Sequence, residues 1–296
     1  MSIAAEFHDA YPSRAKPRPL VSPRLDPVVW GVAEGPLGRH ALARYEAQGF
    51  LVLPQLFGKS ELDDIRVRAD TALAAATPDG ETVVAEPDSH EVRSIFAIHE
   101  RDPVIGRLLA DRRLADIARQ ILGGGVYIHQ SRLNYKPAFD GREFWWHSDF
   151  ETWHIEDGMP RMRALSMSLL LTDNSASNGP LLLIAGSHRY YVACVGATPE
   201  DHYKHSLRKQ EYGVPDKDSI QALAARDGVH AVLAPAGSVV IFDCNILHGS
   251  VGNISPLPRS NLFFVYNSVD NRCTAPFGGR APRPHFIANR THFDPI

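Results

Sequence analysis

A histidine and an aspartate two positions apart, His147 and Asp149, lie in the aromatic-rich segment 144–154. If this segment is extended, alternate side chains point to the same face, so both residues can contact one metal ion. Two histidines and one carboxylate form the facial triad that holds iron(II) in non-haem enzymes and leaves coordination positions open. Fourteen histidines in 296 residues produce such pairs by chance, so the surroundings of the motif decide whether it is a metal site.

The best candidate for a third ligand is His248, which follows the strand-like run 237–241. Arg259 comes eleven residues later, where the next strand can return it to the same cavity. A histidine at a strand end, an arginine beyond it and nearby aromatic residues favour a metal site over a chance pair. The sequence therefore predicts one metal centre built from distant segments.

The composition is that of an ordinary globular protein, with 44% hydrophobic and 22% charged residues. A formal net charge of −3 provides no basic patch for nucleic acid, so we expect a small-molecule partner. Three widely spaced cysteines predict neither a disulfide framework nor a zinc ribbon and favour a cytoplasmic location. No apolar run reaches the length of a signal h-region or a membrane span, so we expect neither secretion nor membrane insertion.

Amphipathic helices are expected to dominate the first half of the chain, after a proline-rich arm over residues 1–36. Residues 50–53 form a short apolar strand pattern between the first two helices. The predicted helices cover residues 37–48, ending at Gly49, residues 60–76 with Ser60 as N-cap, and residues 102–122, ending at the glycines 123–125.

Short strands are expected to dominate the second half, over residues 126–136, 163–172, 181–184, 232–233, 239–242 and 262–266. The turn at 173–180 predicts that 181–184 is the hairpin partner of 163–172. The polar segment 197–229 is an insertion that we expect to cover the mouth of the cavity. Together these patterns predict one domain over residues 1–296, an α+β, mainly β protein with a double-stranded β-helix (jelly-roll) core and outer helices.

Several sequence motifs match those of one known family. They are His147-Ser-Asp-Phe-Glu-Thr-Trp-His, Glu156-Asp-Gly-Met-Pro-Arg-Met-Arg-Ala, Asn178-Gly-Pro, Gly186-Ser-His188, His248-Gly-Ser and Arg259-Ser-Asn. On these residues the chain resembles, over nearly its whole length, the phytanoyl-CoA dioxygenase-like family of iron(II)- and 2-oxoglutarate-dependent oxygenases. Within that family it is similar to the members that hydroxylate ectoine.

The resemblance implies roles for particular residues. It implies three ligands for the catalytic iron: His147, Asp149 and His248. It implies that 2-oxoglutarate is held by Arg259, whose planar fork suits a carboxylate better than lysine does, and by three supporting residues: Asn134, Ser168 and Ser250. It implies a substrate site with aromatic faces for a delocalised cation, lined by Gln130, Trp153, Phe242 and Phe263.

The implied reaction consumes O₂ and 2-oxoglutarate, hydroxylates ectoine to 5-hydroxyectoine and releases succinate and CO₂. Relatives suggest a homodimer. Three alternatives stay open. The protein hydroxylates another small zwitterion, or it binds metal or 2-oxoglutarate without catalysis, or it is a zinc hydrolase, although the sequence has no His-Glu-x-x-His motif.

Overall fold

The computed structural model describes residues 9–31, 34–78, 80–86, 89–207 and 211–296. Parts of the predicted arm (1–8 and 32–33) and of the predicted insertion (208–210) lie outside these ranges. The described chain forms strands β1 Leu20–Pro23, β2 Phe50–Leu53, β3 Val83–Ala85, β4 Val92–Phe96, β5 Val126–Lys136, β6 Phe144–His147, β7 Ala164–Leu170, β8 Leu181–Ile184, β9 Tyr190–Ala193, β10 Val229–Ala231, β11 Val239–Asp243, β12 His248–Ser250 and β13 Arg259–Ser268. Its α-helices are α1 Arg39–Gln48, α2 Lys59–Ala75, α3 Ile98–Arg101, α4 Pro103–Leu108, α5 Arg112–Leu122, α6 Asp149–Thr152, α7 Tyr203–Ser206 and α8 Lys217–Asp227, and a π-helix covers Trp153–Asp157.

Two antiparallel sheets make the body of the protein. The larger has seven strands in the order β2-β11-β7-β13-β5-β4-β3, and the smaller has four in the order β10-β8-β12-β6. Side chains of β8 in the small sheet pack against those of β11 and β13 in the large one, so the sheets enclose a common core. This arrangement is the predicted jelly roll.

Helices cover the outer face of the seven-stranded sheet. Tyr45 of α1, Ile65 of α2 and Ile117 of α5 pack in one cluster with Met167 and Ile241 of the sheet. Burying an aliphatic or aromatic side chain of this size contributes roughly 1.5–3 kcal/mol to the free energy of folding, relative to leaving it exposed. Because strand side chains alternate between faces, Ser166 and Ser168 of β7 point away from this cluster, toward the interior between the sheets.

Two helix predictions need correction. The helix predicted over 102–122 is interrupted, and α4 and α5 are each capped by an aspartate. The carboxylate of Asp102 accepts hydrogen bonds from the amides of Val104 and Ile105, and that of Asp111 caps α5 in the same way. Helix α2 has Gly58 as its N-cap rather than Ser60, because the Glu61 carboxylate accepts from the Gly58 amide.

Two strand predictions were also wrong. Strand β8 is not the hairpin partner of β7, because β7 lies between β11 and β13 while β8 lies between β10 and β12 of the other sheet. The turn residues at 173–180 do reverse the chain, but they carry it from one sheet to the other. The strand predicted at 232–233 lies at Val229–Ala231. In the described part of the chain, no helix has the length and apolar character that crossing a membrane requires.

Candidate metal centre

Two neighbouring strands of the small sheet bring the predicted ligands together. His147 ends β6, His248 begins β12, and the two residues are direct partners in the antiparallel ladder. Ser148 is extended (φ −107°, ψ 129°), and Asp149 then begins α6. The segment 144–154 is therefore extended only as far as Ser148, yet His147 and Asp149 still face the same point.

The three side chains converge without touching. Nε2 of His147 lies 3.6 Å and Nε2 of His248 lies 3.8 Å from Oδ1 of Asp149. Within the described residues these are the group of histidine, cysteine and acidic side chains whose ligand atoms all lie within 4.8 Å of one another. A metal ion between them would have two nitrogen ligands and one oxygen ligand on one side and open positions on the other.

Backbone carbonyls fix the tautomer of both imidazoles. Nδ1 of His147 donates to the carbonyl of Trp145 at 2.8 Å, and Nδ1 of His248 donates to that of Ile246 at 3.0 Å. In its neutral form each ring therefore presents an unprotonated Nε2 toward Asp149, as metal-ligating histidines do when another group holds their second nitrogen.

The protonation states at neutral pH also suit metal binding. Burial and the neighbouring His147 lower the pKa of His248 to about 4, so His248 is neutral. Burial alone would raise the pKa of the Asp149 carboxyl, but His248 and His147 bring it well below its usual range. Ser166 donates a long hydrogen bond (3.5 Å) to the other Asp149 oxygen.

The imidazoles open onto a cavity between the two sheets, and four basic side chains line it. These are Arg93, Arg132, Lys136 and Arg259. Among the residues that the structure describes, only Arg93 of the four has a carboxylate partner, namely Glu86 at 3.0 Å. The other lining residues are Ser94, Phe96, Asn134, Phe144, His147, Leu181, Leu207, His248, Gly249, Ser250 and Phe263.

Three of these basic side chains, Arg93, Lys136 and Arg259, are buried, and two of the guanidiniums have unused hydrogen-bonding capacity. Arg259 is only 2% exposed, and its Nη1 donates to the carbonyl of Gly179, while its Nε, like that of Arg132, has no partner in the described chain. Burial and the neighbouring guanidiniums lower the pKa of Arg259 to about 9 and that of Lys136 to about 6. Unpaired buried charge is costly, so the cavity fits an anionic ligand such as a dicarboxylate.

The structure brings some of the predicted site residues into this cavity and leaves others outside it. Asn134, Ser250 and Phe263 line it together with Arg259. Two further residues are close to the lining. Ser168 pairs with Phe263 across β7 and β13, and its hydroxyl has no partner among the described residues, while the Phe242 ring lies 5.2 Å from that of His248.

Gln130 and Trp153 lie elsewhere. The amide of Gln130 donates to the carbonyl of Ile287 at 2.7 Å, and the residue lines a second cavity near His99 and His129. Trp153 is buried in the π-helix with its ring 5.2 Å from that of His129.

Sequence reasoning missed part of the lining. Arg93 and Phe96 come from β4, which the sequence did not indicate, and Leu207 comes from the insertion. Arg132 and Lys136 were not missed in the same sense, because the alternation of β5 puts them on one polar face with Asn134, and this face is expected to line a polar interior. Arg93 had no such signal, because a five-residue strand carries too little pattern.

A jelly roll that holds two histidines and one carboxylate beside an interior cavity defines the class of non-haem metal enzymes. The family model of phytanoyl-CoA dioxygenase (PhyH) matches residues 45–261. Ectoine dioxygenase of Sphingopyxis alaskensis is 56% identical over 288 residues, covering 96% of this chain and 94% of the relative. The one of Stutzerimonas stutzeri is 55% identical over 295 residues, covering 97% and 96%.

A solved structure gives the same result. EctD from S. alaskensis with 2-oxoglutarate and 5-hydroxyectoine superposes with a TM-score of 0.86 at 50% identity, covering 96% of this chain and 95% of that one. The chain belongs to the phytanoyl-CoA dioxygenase family and, within it, to the group of the ectoine dioxygenases. The resemblance noted in the sequence is confirmed.

Proposed function

We propose that this protein hydroxylates ectoine to 5-hydroxyectoine, using iron(II), O₂ and 2-oxoglutarate and releasing succinate and CO₂. One observation carries the proposal: His147, Asp149 and His248 converge beside a cavity lined by four basic side chains. The relatives supply the substrate, since they are ectoine dioxygenases and one was solved with 5-hydroxyectoine.

His147, Asp149 and His248 are the iron ligands in this proposal. Iron(II), when bound there, supplies the activation of O₂ that hydroxylation requires. The protein's part is to direct both Nε2 atoms at the metal position through the carbonyls of Trp145 and Ile246 and to keep Asp149 ionised. These contacts hold the three ligands in place before the metal arrives, which lowers the cost of ordering them.

Arg259 binds the distal carboxylate of 2-oxoglutarate in this proposal. Its guanidinium projects from the first residue of β13 into the cavity, and its Nε has no other partner in the described chain, so it can hold a carboxylate by its fork. Asn134 and Ser250, which also line the cavity, and the hydroxyl of Ser168 supply further hydrogen bonds.

Ectoine binds against the aromatic side of the cavity in this proposal. The Phe263 ring lines the cavity and the Phe242 ring lies beside His248, so both can face the delocalised cation of the substrate. The substrate contacts of Gln130 and Trp153 stay predictions, because in this structure Gln130 donates to the carbonyl of Ile287 and Trp153 packs against His129. The insertion covers the mouth, and Leu207 in the lining supports that role.

A substrate panel tests this assignment. Iron-loaded protein is given O₂, 2-oxoglutarate and, in parallel, ectoine, proline or another small zwitterion, and succinate and hydroxylated products are measured by mass spectrometry. We expect hydroxylation of ectoine. Succinate above background with proline but not with ectoine would assign the chain to a different hydroxylase of the same family. A homodimer and a cytoplasmic location stay predictions.

A further inference from the structure

Outside the metal centre, a cysteine, a histidine and an aspartate lie next to one another in a row. Sγ of Cys273 lies 3.8 Å from Nδ1 of His129, and Nε2 of His129 lies 3.5 Å from Oδ2 of Asp157. His129 sits at a bulge of β5, where the pairing with β13 shifts by one residue. The proposed function uses none of these three residues.

The surroundings favour a charged imidazole. His129 and Asp157 are buried, and Asp157 is held in place by two hydrogen bonds from Arg283, at 2.8 and 2.5 Å. Burial alone lowers the pKa of His129, but the negative charges of Asp157 and of an ionised Cys273 raise it to about 9, so an imidazolium and a thiolate at this distance stabilise each other. An imidazolium beside a thiol stabilises the thiolate, which is the nucleophilic form of cysteine.

Cys273 differs from the other two cysteines in its access to solvent. It is partly exposed, whereas Cys194 and Cys244 are buried. Burial raises the pKa of both buried thiols well above the ordinary value. Reactive cysteines are partly exposed and lie next to a positive charge, whereas buried cysteines in apolar surroundings are inert.

We propose that Cys273 is an activated thiolate and the site at which hydroperoxides oxidise this protein to a sulfenic acid. The thiolate sulfur attacks one peroxide oxygen, an S–O bond forms as the O–O bond breaks, and sulfur loses the two electrons that the peroxide gains. The departing hydroxide takes the proton of the His129 imidazolium and leaves as water. The sulfenic acid is reversible, because a second thiol can condense with it to form a disulfide.

Rates of alkylation between pH 6 and 9 test the activation. Iodoacetamide labelling is followed at each cysteine by peptide mass spectrometry in the folded protein. The ionisable groups facing the thiol and its imidazole are Tyr127 and Asp157, and Asp157 is paired in turn with Arg283. At pH 6.5 an ordinary thiol is only about 1% ionised, so we expect Cys273 to react at least about tenfold faster than free cysteine, with Cys194 and Cys244 unlabelled.

His129→Gln tests the source of the activation. It keeps a polar side chain without the charge, so the pH profile at Cys273 should return to that of a free thiol. Unlabelled Cys194 and Cys244 show that the variant is folded. If it does not fold, the wild-type pH profile decides alone.

Oxidation is tested with hydrogen peroxide and a cyclic 1,3-dione that traps sulfenic acids. We expect the adduct at Cys273, and none in Cys273→Ser. A wild-type alkylation profile like that of free cysteine, the same profile in folded His129→Gln as in the wild type, or no adduct at Cys273 would each overturn the proposal. None of these readouts depends on ectoine turnover.

Discussion

The imidazole orientations are the residue-scale feature on which the centre depends. A histidine can bind a metal through either ring nitrogen, and a hydrogen bond from one nitrogen leaves the other for the metal. His147 and His248 both donate Nδ1 to the carbonyl two positions earlier in the chain. This short-range contact is compatible with an extended backbone, so the same strand geometry that pairs the two residues also orients their rings.

Arg259 provides the sharpest residue-scale prediction. Arg259→Lys keeps the charge but loses the fork, so we expect the KM for 2-oxoglutarate to rise about tenfold, and Arg259→Leu to raise it about a hundredfold, since hydrogen bonds to charged groups contribute about 1.5–3 kcal/mol. Steady-state kinetics with saturating ectoine measure this. Arg112→Lys is the control, because Arg112 has a 91% exposed side chain. An unchanged KM in Arg259→Leu would contradict the assigned role.

At the scale of elements, the centre depends on the order in which short segments follow one another. His147 is the last residue of β6, Ser148 follows in an extended conformation, and α6 and the π-helix then lead the chain away from the metal centre. Gly158 ends the π-helix with φ +80°, and a Cβ there would lie 2.3 Å from the carbonyl oxygen of Thr274. Only glycine fits this position without displacing the backbone.

Gly158→Ala should therefore lower the free energy of unfolding more than a left-handed conformation alone does, which costs about 1–2 kcal/mol. Gly279→Ala is the matched control, because Gly279 has φ +70° but a Cβ there would have no described atom within 4 Å outside its own chain neighbours. Urea denaturation of both variants measures the difference. Equal losses would show that the contact with Thr274 does not constrain the end of the π-helix.

Elements with strong local signals were predictable from sequence. α1 with its glycine end, β2 and β5 lie where helical periodicity, a short apolar run and alternation placed them. The break between α4 and α5 was not predictable, because the apolar residues keep their helical spacing across it and Asp111 does not stand out as an N-cap. The partners of β8 were not either, since a turn sequence specifies a reversal but not the sheet that the chain joins afterwards.

The site was predictable to a similar degree. The triad and Arg259 are marked by residue type and by family motifs, and the fold brings the three triad side chains together beside the cavity that Arg259 lines. Arg93 and Leu207 reach it from distant segments with no pattern of their own. Their positions depend on contacts between segments that are far apart in the chain, and such contacts cannot be predicted from local patterns in a single sequence.

At the scale of the whole molecule, the cavity concentrates positive charge in a protein whose formal net charge is −3. The effect of burying basic groups close together is clearest at Lys136. It is 2% exposed, it donates to the carbonyls of Arg142 and Val251, and burial with the nearby Arg259 and Arg93 lowers its pKa to about 6. A bound dianion would stabilise the charged forms of Lys136 and of the neighbouring guanidiniums, so the ligand-free protein is the less stable form.

Lys136→Met should stabilise the ligand-free protein in a pH-dependent manner. Between about 6 and the ordinary value of about 10.5, the unfolded chain binds a proton at Lys136 that the folded protein does not, so the wild type gains stability as pH rises. The advantage of the variant is therefore largest near pH 6 and shrinks by up to about 1.4 kcal/mol per pH unit above it. Urea denaturation at pH 6.5 and 8.5 measures this difference, and an equal advantage at both pH values would contradict the buried, neutral lysine.

The most direct test of the account is anaerobic loading with iron(II), followed by addition of O₂, 2-oxoglutarate and ectoine to the wild type, His147→Ala and Asp149→Ala. Iron per chain is counted before oxygen is added, and succinate and hydroxyectoine are counted afterwards. We predict one iron per wild-type chain, equal amounts of the two products, and loss of bound iron and of both products in the variants. Folded, iron-loaded wild type that forms neither product, or variants that retain both iron and turnover, would contradict the central claim.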